Sequence, residues 1–311
     1  MTSETTLESI LEQLARTRSA VVARVATSVR EDLARLGVEI DGDAAKLPED
    51  VELLDADRIR SGLSAQVLQW LADLTIYPHI GSTNTELMTL AERGAIDGRV
   101  LLAEAQTAGR GRRGRTWMSP FARNLAVTLG VRIRRPVAEL GSLSLIVGVA
   151  VADALERLGV SGVQLKWPND VLLDGRKLCG ILIELPRATE PVEVAIGIGV
   201  NVGGLHTVRA NVEQGVADVT EQVTGASRNE LASLVIEEVW RVCRAFEVQG
   251  FAAFKARWQT LHRYHGHTVD IVIADQRVSG TVIGVDDAGA LRLQTTSGVR
   301  TFNGGEVSLR G

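Results

Sequence analysis

The chain has 311 residues, of which 45% are hydrophobic and 23% charged, a composition typical of a globular protein with two or three domains. Its formal net charge of −4 at pH 7 gives no overall basic character, and its longest apolar stretch, residues 143–155, contains Ser144 and Asp153 and is too short to cross a bilayer. The first thirty residues lack a secretory signal pattern, and Cys179 and Cys243 have no metal-ligand spacing, so we expect a reduced cytoplasmic protein without membrane association.

Residues 1–74 predict a small helical unit. Apolar residues recur at helical spacing over residues 7–16 and again over residues 21–37, where Gly37 ends the pattern. A short strand, VEI, and an acidic turn follow, which indicates a possible hairpin. This segment has 8 Lys and Arg residues against 14 Asp and Glu residues, so it carries −6 and the rest of the chain carries +2.

Residues 75–265 mix helix and strand patterns. GSTNTELMTLAERG predicts a turn and then a helix, and Thr83 and Glu86 have the spacing of a capping box. Helix patterns also cover residues 140–158 and 228–261. Strand patterns are RVLLAEAQ, NLAVTLGVRI, VQLKWPND, KLCGILIEL and EVAIGIGVNV. This mixture predicts an α/β or α+β domain.

The tail, residues 266–311, predicts a small all-β barrel. Its four strand patterns, TVDIVIA, RVSGTVIGVD, ALRLQT and VRTFNG, are separated by turns such as DDAG and TSG. About 45 residues make only a thin core, so we expect this unit to pack on the middle domain.

The most unusual stretch is TAGRGRRGRTWMSP, residues 107–120, which contains four arginines within six residues. Guanidinium groups match carboxylate and phosphate oxygens, and the interspersed glycines let the backbone approach a ligand closely. From these residues alone the loop could be a solvated surface loop, a nucleic-acid contact or a site for a small phosphorylated ligand. A P-loop is excluded, because the chain contains no G-x-x-x-x-G-K-[ST].

A second stretch, KWPNDVLLDGRKLCGILIEL, places Lys166, Asn169, Asp170 and Lys177 around a strand, a turn and a second strand. Taken singly, each lysine fits a solvated strand end, and Asn169 with Asp170 fits an ordinary turn pair. Together with the arginine loop, these residues indicate one ligand site.

These two stretches, with GSTN (81–84), GIGVN (197–201) and GGEVSLR (304–310), resemble the biotin–protein ligases, in the bacterial form that can double as biotin-operon repressor. The similarity covers roughly residues 75–311, and the joint order and spacing of the motifs are highly specific. The resemblance implies an α+β fold. It comprises a class II aminoacyl-tRNA-synthetase-like mixed sheet with helices (75–265), an SH3-like β-barrel (266–311) and a degenerate winged-helix-like unit (1–74).

The resemblance implies that biotin and ATP, with Mg²⁺, give biotinyl-5′-adenylate and pyrophosphate. The biotin then passes to a lysine of a biotin carboxyl carrier protein, a subunit of acetyl-CoA carboxylase, and the ligase itself is a possible homodimer. The first step brings a carboxylate onto an α-phosphate, and two anions in contact repel strongly unless cations intervene. The arginine loop and Lys177 would supply those cations.

The resemblance also assigns roles to single residues. Those implied in binding biotin are Ser82, Thr83, Asn84, Gln106, Arg110, Gly111, Arg112, Lys177, Gly180 and Gly199, with Arg110, Arg112 and Lys177 also catalytic. Those implied in binding ATP or the adenylate are Arg112, Arg113, Arg115, Trp117, Lys166, Asn169, Asp170 and Asn201. Trp117 would pack on adenine, and Asp170 would be a Mg²⁺ ligand. Simpler explanations are a helix cap for Ser82 and Thr83 and core packing for Trp117.

The function of the first segment and the identity of the substrate stay open. Residues 17–40 resemble part of a winged helix-turn-helix, but the chain before them is about one helix too short and DGDAAKLPED is an acidic wing. A DNA-binding surface should be basic, and this segment is acidic, which favours packing on the catalytic domain. Binding to a biotin operator nevertheless stays open.

The chain could also be a lipoate–protein ligase, or a biotin-sensing repressor without ligase activity. The arginine loop followed by W-x-S-P favours biotin, and Lys177 favours an enzyme.

Overall fold

A computed structural model describes residues 6–23, 25–49, 51–187, 189–204, 215–273 and 276–309. Arg310, in the GGEVSLR motif, lies outside this part of the chain. The helices are α1 (Leu7–Thr17), α2 (Thr27–Arg35), α3 (Ala56–Ser61), α4 (Ala65–Trp70), α5 (Thr83–Arg93), α6 (Leu143–Leu158), α7 (Arg228–Gln249) and α8 (Ala252–Leu261). The strands are β1 (Ser19–Val21), β2 (Glu39–Asp41), β3 (Ala44–Lys46), β4 (Asp73–Tyr77), β5 (Arg99–Ala103), β6 (Asn124–Ile133), β7 (Val163–Lys166), β8 (Asp170–Leu173), β9 (Arg176–Arg187), β10 (Val192–Asn201), β11 (Thr268–Ile273), β12 (Gln276–Val285), β13 (Leu291–Thr295), β14 (Gly298–Phe302) and β15 (Glu306–Leu309).

The N-terminal unit contains α1, α2 and a three-stranded sheet in the order β1-β3-β2. The predicted hairpin is confirmed as β2 and β3, with Gly42 at φ +56 in its turn. The helix predicted over residues 21–37 is wrong at its start, because residues 19–21 form β1 and pair with β3. This pairing overrides the helical periodicity of the segment, as tertiary contacts commonly do. Only residues 22–26 therefore separate β1 from α2.

Two hydrophobic cores meet shortly before α3. Leu54, Ile59 and Val67 belong to the core of the central sheet, whereas Val51 belongs to the core of the N-terminal unit. The N-terminal core also includes Phe121 and two alanines of the central domain. The domain boundary at residue 74 stays a prediction, and α3 and α4 pack with the central domain.

The central sheet has seven strands in the order β4-β5-β6-β10-β9-β8-β7. Only β4 and β5 pair in parallel, so the sheet is mixed, as expected for an α+β domain. Helix α5 covers one face, and α6 and α7 cover the other. This double cover explains why β6 is buried on both faces although its sequence alternates like a half-exposed strand.

The C-terminal strands form a five-stranded antiparallel sheet in the order β14-β13-β12-β11-β15. The four predicted strands are present, and β15, which lies in the GGEVSLR motif, adds a fifth beside β11. The SH3-like barrel shape stays a prediction.

The helical stretch Val137–Leu158 is longer than expected from the apolar run of residues 143–155. A 3₁₀ turn, Val137–Ser142, precedes α6 and gives 22 residues with the length and composition of a membrane span. However, 67% of its most apolar window is buried in the protein, which is typical of a core helix.

A buried ion pair joins residues 52–54, the end of β5 and the start of α7. Arg228 Nη1 lies 2.7 Å from Glu104 Oε2, and each side chain is only 3% exposed. Glu104 Oε1 accepts the Leu54 N–H at 2.6 Å, and Arg228 also donates to the carbonyl oxygens of Glu52 and Asn124. Because both charged side chains also form hydrogen bonds with the surrounding backbone, the two charges are tolerated inside the protein.

We expect Arg228→Met to lower the free energy of unfolding by about 3–5 kcal/mol, because it leaves Glu104 buried without a cation. Urea denaturation measures this loss. The double variant Glu104→Gln with Arg228→Met should recover part of it, since no charge then remains unpaired. A loss below about 1 kcal/mol for the single variant would show that the pair does not hold these elements together.

Candidate active site

A cleft of about 900 Å³ lies between the arginine loop, the start of α5, strands β7–β10 and the C-terminal sheet. All the site residues predicted from the sequence line it: Ser82, Thr83, Asn84, Gln106, Arg110, Gly111, Arg112, Arg113, Arg115, Trp117, Lys166, Asn169, Asp170, Lys177, Gly180, Gly199 and Asn201. The C-terminal sheet adds Val272, Gly305 and Val307 to the wall, which the sequence analysis did not predict. The structure thus brings these residues together, and their individual ligands stay predictions.

One end of the cleft begins at the N-terminus of α5. The N-cap is Ser82, whose Oγ accepts the Thr85 N–H at 3.5 Å. The capping box predicted for Thr83 and Glu86 is wrong, because Thr83 is already the first helical residue. The helix start therefore turns the Thr83 side chain towards the interior instead of using it as a cap.

Neutral polar groups line this end of the cleft. The N–H and Oγ1 of Thr83 both donate to Gln106 Oε1, at 2.9 and 3.2 Å. Thr128 Oγ1, from β6, lies 2.8 Å from both Thr83 Oγ1 and Asn84 Oδ1. Ser82, Thr83, Asn84 and Thr128 are buried, so the network is rigid and shielded from water. Such a set suits an uncharged polar group better than an anion.

Arg110 extends from the loop to a carboxylate on β9. Its Nη2 lies 2.8 Å from Glu184 Oε1 and its Nη1 3.2 Å from Glu184 Oε2, a two-point ion pair. Asn84 Nδ2 donates to the same carboxylate at 3.0 Å. Glu184 is not among the site residues predicted from the sequence. Strand alternation could have identified Glu184, because Gly180, Leu182 and Glu184 are two residues apart and share one face of β9.

The Trp117 ring lies against two glycines. Gly180 and Gly199 are paired across β9 and β10. A Cβ at Gly199 would lie 2.5 Å from Trp117 Cε2, and one at Gly180 would lie 3.1 Å from Trp117 Cζ3. These two glycines form a floor that the Trp117 indole covers, because only glycine allows an aromatic ring so close to the sheet.

The opposite end of the cleft is strongly charged. Lys177 Nζ lies 2.7 Å from Asp170 Oδ1 and 5.7 Å from the centre of the Trp117 ring. Arg112 Nη1 donates to Asn169 Oδ1 at 3.1 Å, which brings the arginine loop to the start of β8. Asn201 Nδ2 donates to the carbonyl oxygens of Lys177 and Ala217, at 3.3 and 3.1 Å.

Cations outnumber anions in the cleft. Among the residues that the structure describes, four arginines and two lysines line it, against the carboxylate of Asp170, with Glu184 at its edge. Neighbouring Cys179 adds no anion, because burial raises the pKa of its thiol and it packs in the core as an apolar group. The cleft therefore favours an anionic ligand, in line with a small phosphorylated molecule.

Asp170 alone does not form a metal site. Within the described part of the chain, no group of three or more His, Cys, Asp or Glu side chains could hold a metal ion. Magnesium is commonly held by one or two carboxylates together with substrate phosphates and water. Asp170 fits that pattern as one ligand beside a bound nucleotide.

Residues 77–201 match the biotin/lipoate A/B protein ligase family, and residues 264–310 match the biotin protein ligase C-terminal domain. The chain is 36% identical over 309 residues to the bifunctional ligase/repressor BirA of Salmonella typhimurium, covering 97% of this chain and 92% of that protein. It is 34% identical over 277 residues to the biotin–[acetyl-CoA-carboxylase] ligase of Mycobacterium tuberculosis, covering 82% and 98% respectively. The structure of the Aquifex aeolicus biotin protein ligase in complex with biotin and ATP is 28% identical, with a TM-score of 0.64, and covers 77% of this chain and 99% of that one.

We expect Gly199→Ala to move the Trp117 ring, because the added methyl group would lie 2.5 Å from the indole. The Trp117 Nε1–H signal in a ¹H–¹⁵N NMR spectrum, assigned with Trp117→Phe, should shift. Gly94→Ala is the control, since no atom lies within 4 Å of its added Cβ. An unchanged Trp117 signal in Gly199→Ala would show that the ring does not rest on this floor.

Proposed function

The chain belongs to the biotin–protein ligases of the biotin/lipoate A/B protein ligase family, and we propose that it activates biotin with ATP and transfers it to a carrier protein. The observation that carries this proposal is the division of one cleft into a neutral hydrogen-bonding end and a cationic end. A ligand with an uncharged polar head and a carboxylate tail matches this division, and so does a nucleotide phosphate beside that carboxylate.

At the neutral end, Ser82, Thr83 and Gln106 would bind the ureido ring of biotin. Their hydroxyl and amide groups are already oriented by Thr128 and by the start of α5. Arg110, fixed by Glu184 at the edge of this end, would close the loop over the ring. Preorganised polar groups bind a matching ligand without a further ordering cost.

At the cationic end, a biotin carboxylate oxygen attacks the α-phosphorus of ATP. The bond from that phosphorus to the bridging oxygen breaks, and pyrophosphate leaves. Lys177 and Arg112 would neutralise both anions during the attack, and a fixed donor of this kind contributes on the order of 3 kcal/mol in a shielded site. Arg113, Arg115 and Lys166 would bind the remaining phosphate oxygens.

The nucleotide base would lie near Trp117 and Asn201, which line the cleft on the β10 side. Magnesium, when bound, would shield phosphate charge, and Asp170 would be its one protein ligand.

In the second step, the amine of a carrier lysine attacks the acyl carbon of the adenylate. The lysine amine loses a proton, and AMP leaves. Both cysteines are free and buried, in keeping with a cytoplasmic site of action.

A lipoate–protein ligase is the second candidate enzyme. The family model covers both activities, but the C-terminal match is to the biotin protein ligases. The neutral hydrogen-bonding end also favours biotin, because the dithiolane ring of lipoate has no groups to pair with these donors and acceptors. Buried polar groups left unpaired strongly disfavour a ligand.

Repression of a biotin operon is the second candidate function, carried by the N-terminal unit, since relatives that span this unit are named ligase/repressor. Residues 1–74, which comprise this unit with α3 and α4, carry a net charge of −6, and α2 is the helix between β1 and the hairpin. Basic side chains of α2 already have partners, because Arg35 pairs with Asp32 and Arg30 donates to the Val22 carbonyl. These features favour packing over DNA binding.

We expect the purified protein to exchange labelled pyrophosphate into ATP when biotin is present, and not when lipoate replaces it. Lys177→Ala and Arg112→Ala should each reduce the exchange rate by about 100-fold or more, because each removes a cation from the reacting anions. Arg93→Ala, at the exposed end of α5, is the control and should match the wild type. Absence of biotin-dependent exchange in the wild type would overturn the proposed function.

We expect no specific retention of biotin-operator DNA in a gel-shift assay with the biotin- and ATP-loaded protein. A segment with a net charge of −6 is poorly suited to neutralise the phosphates that tight binding requires. A salt-sensitive, sequence-specific complex would instead establish the repressor function.

A further inference from the structure

We propose that Arg176 and Glu221 are positioning residues for Lys177. Their ion pair holds residues 215–221 against the backbone of Lys177 and so aims its ammonium group into the cleft. The inference rests on the proposed function, in which Lys177 contacts the reacting anions.

A β-bulge determines which way Lys177 points. Val171 pairs with Cys179, but Leu172 pairs with Lys177, so Leu178 is an extra residue in β9. In an unbroken strand, Leu178 would share the cleft face with Gly180, and Lys177 would point into the core. The opposite is found, since Leu178 is fully buried and Lys177 lines the cleft. The bulge thus re-aims the lysine, a common use of bulges beside active sites.

The bulged backbone is held by a segment from outside the sheet. Lys177 N–H donates to the Gly215 carbonyl at 2.9 Å, and Ala217 N–H donates to the Lys177 carbonyl at 2.9 Å. These bonds form a parallel bridge between Lys177 and Val216. Asn201 Nδ2 donates to the carbonyls of Lys177 and Ala217 and so joins the two segments. The orientation of Lys177 therefore depends on where residues 215–217 lie.

The ion pair fixes that segment. Arg176 Nη1 and Nη2 lie 2.9 and 2.6 Å from the two Glu221 carboxylate oxygens, and Nη1 also donates to the Val216 carbonyl at 3.4 Å. The same carboxylate accepts the Asp218 N–H at 3.4 Å and so closes the turn Val219–Glu221. The two side chains are 34% and 26% exposed, and partly exposed pairs add little to stability. Their planar two-point geometry instead determines position.

The experiment compares Glu221→Gln with the wild type in biotin-dependent pyrophosphate exchange, with biotin binding by calorimetry and thermal unfolding measured on the same samples. We expect kcat to fall about tenfold to a hundredfold, because a displacement of about 1 Å at a reacting group has effects of this size. Biotin affinity should fall much less than kcat, because the neutral end of the cleft is unchanged, and the unfolding temperature should stay close to that of the wild type. The charge-exchanged double variant Arg176→Glu with Glu221→Arg should recover most of the lost rate.

Glu247→Gln is the matched control. Glu247 pairs with Arg244 at 2.8 Å on α7, with exposed fractions of 12% and 27%, and lies outside the cleft. It should leave kcat unchanged. A Glu221→Gln variant within about twofold of an active wild type, or one whose rate falls only in parallel with stability, overturns the inference and leaves the proposed function intact. A wild type without biotin-dependent exchange overturns both.

Discussion

The rest of the site depends on the need to hold several cations close together before any anion arrives. Polar side chains of the protein already hold cations of this cluster: Arg110 pairs with Glu184, Lys177 with Asp170, and Arg112 with Asn169. Each partner orients its cation as well as reducing repulsion between neighbours. A cluster arranged in this way is ready for two anions that would otherwise repel each other.

Close backbone approach is the second requirement of this cleft. Gly199 lets the Trp117 ring rest on the sheet, and a Cβ at Gly197 would lie 2.1 Å from Asn84 Oδ1. The same Asn84 contacts Glu184 and Thr128, so it connects the neutral network to the carboxylate that orients Arg110. Asn84 and Glu184 therefore link the buried neutral network to the arginine loop through hydrogen-bonded side chains.

The N-terminal unit is also connected to this arrangement. Its core includes Phe121, which follows the W-x-S-P motif of the loop, and the Phe121 N–H donates to the Leu36 carbonyl at 2.8 Å. The buried pair of Arg228 and Glu104 lies nearby, since Glu104 is two residues before Gln106 on the way into the cleft. The unit thus packs against the chain segments that carry the loop, whatever further function it has.

The sequence alone indicated most of the elements and most of the residues that come together in the cleft. Helical and alternating periodicities predicted most helices and strands, and dense motifs with fixed spacing identified the residues that line the cleft. Those signals are local, so they failed where distant segments decide the outcome. Only the tertiary structure showed that β1 pairs with the hairpin, that Ser82 rather than Thr83 caps α5, that Trp117 covers the glycine floor, and that Glu184 pairs with Arg110. The tertiary structure also decided which way Lys177 points. A bulge reverses the side-chain alternation that β9 predicts, and a segment about forty residues further along the chain holds the bulged backbone.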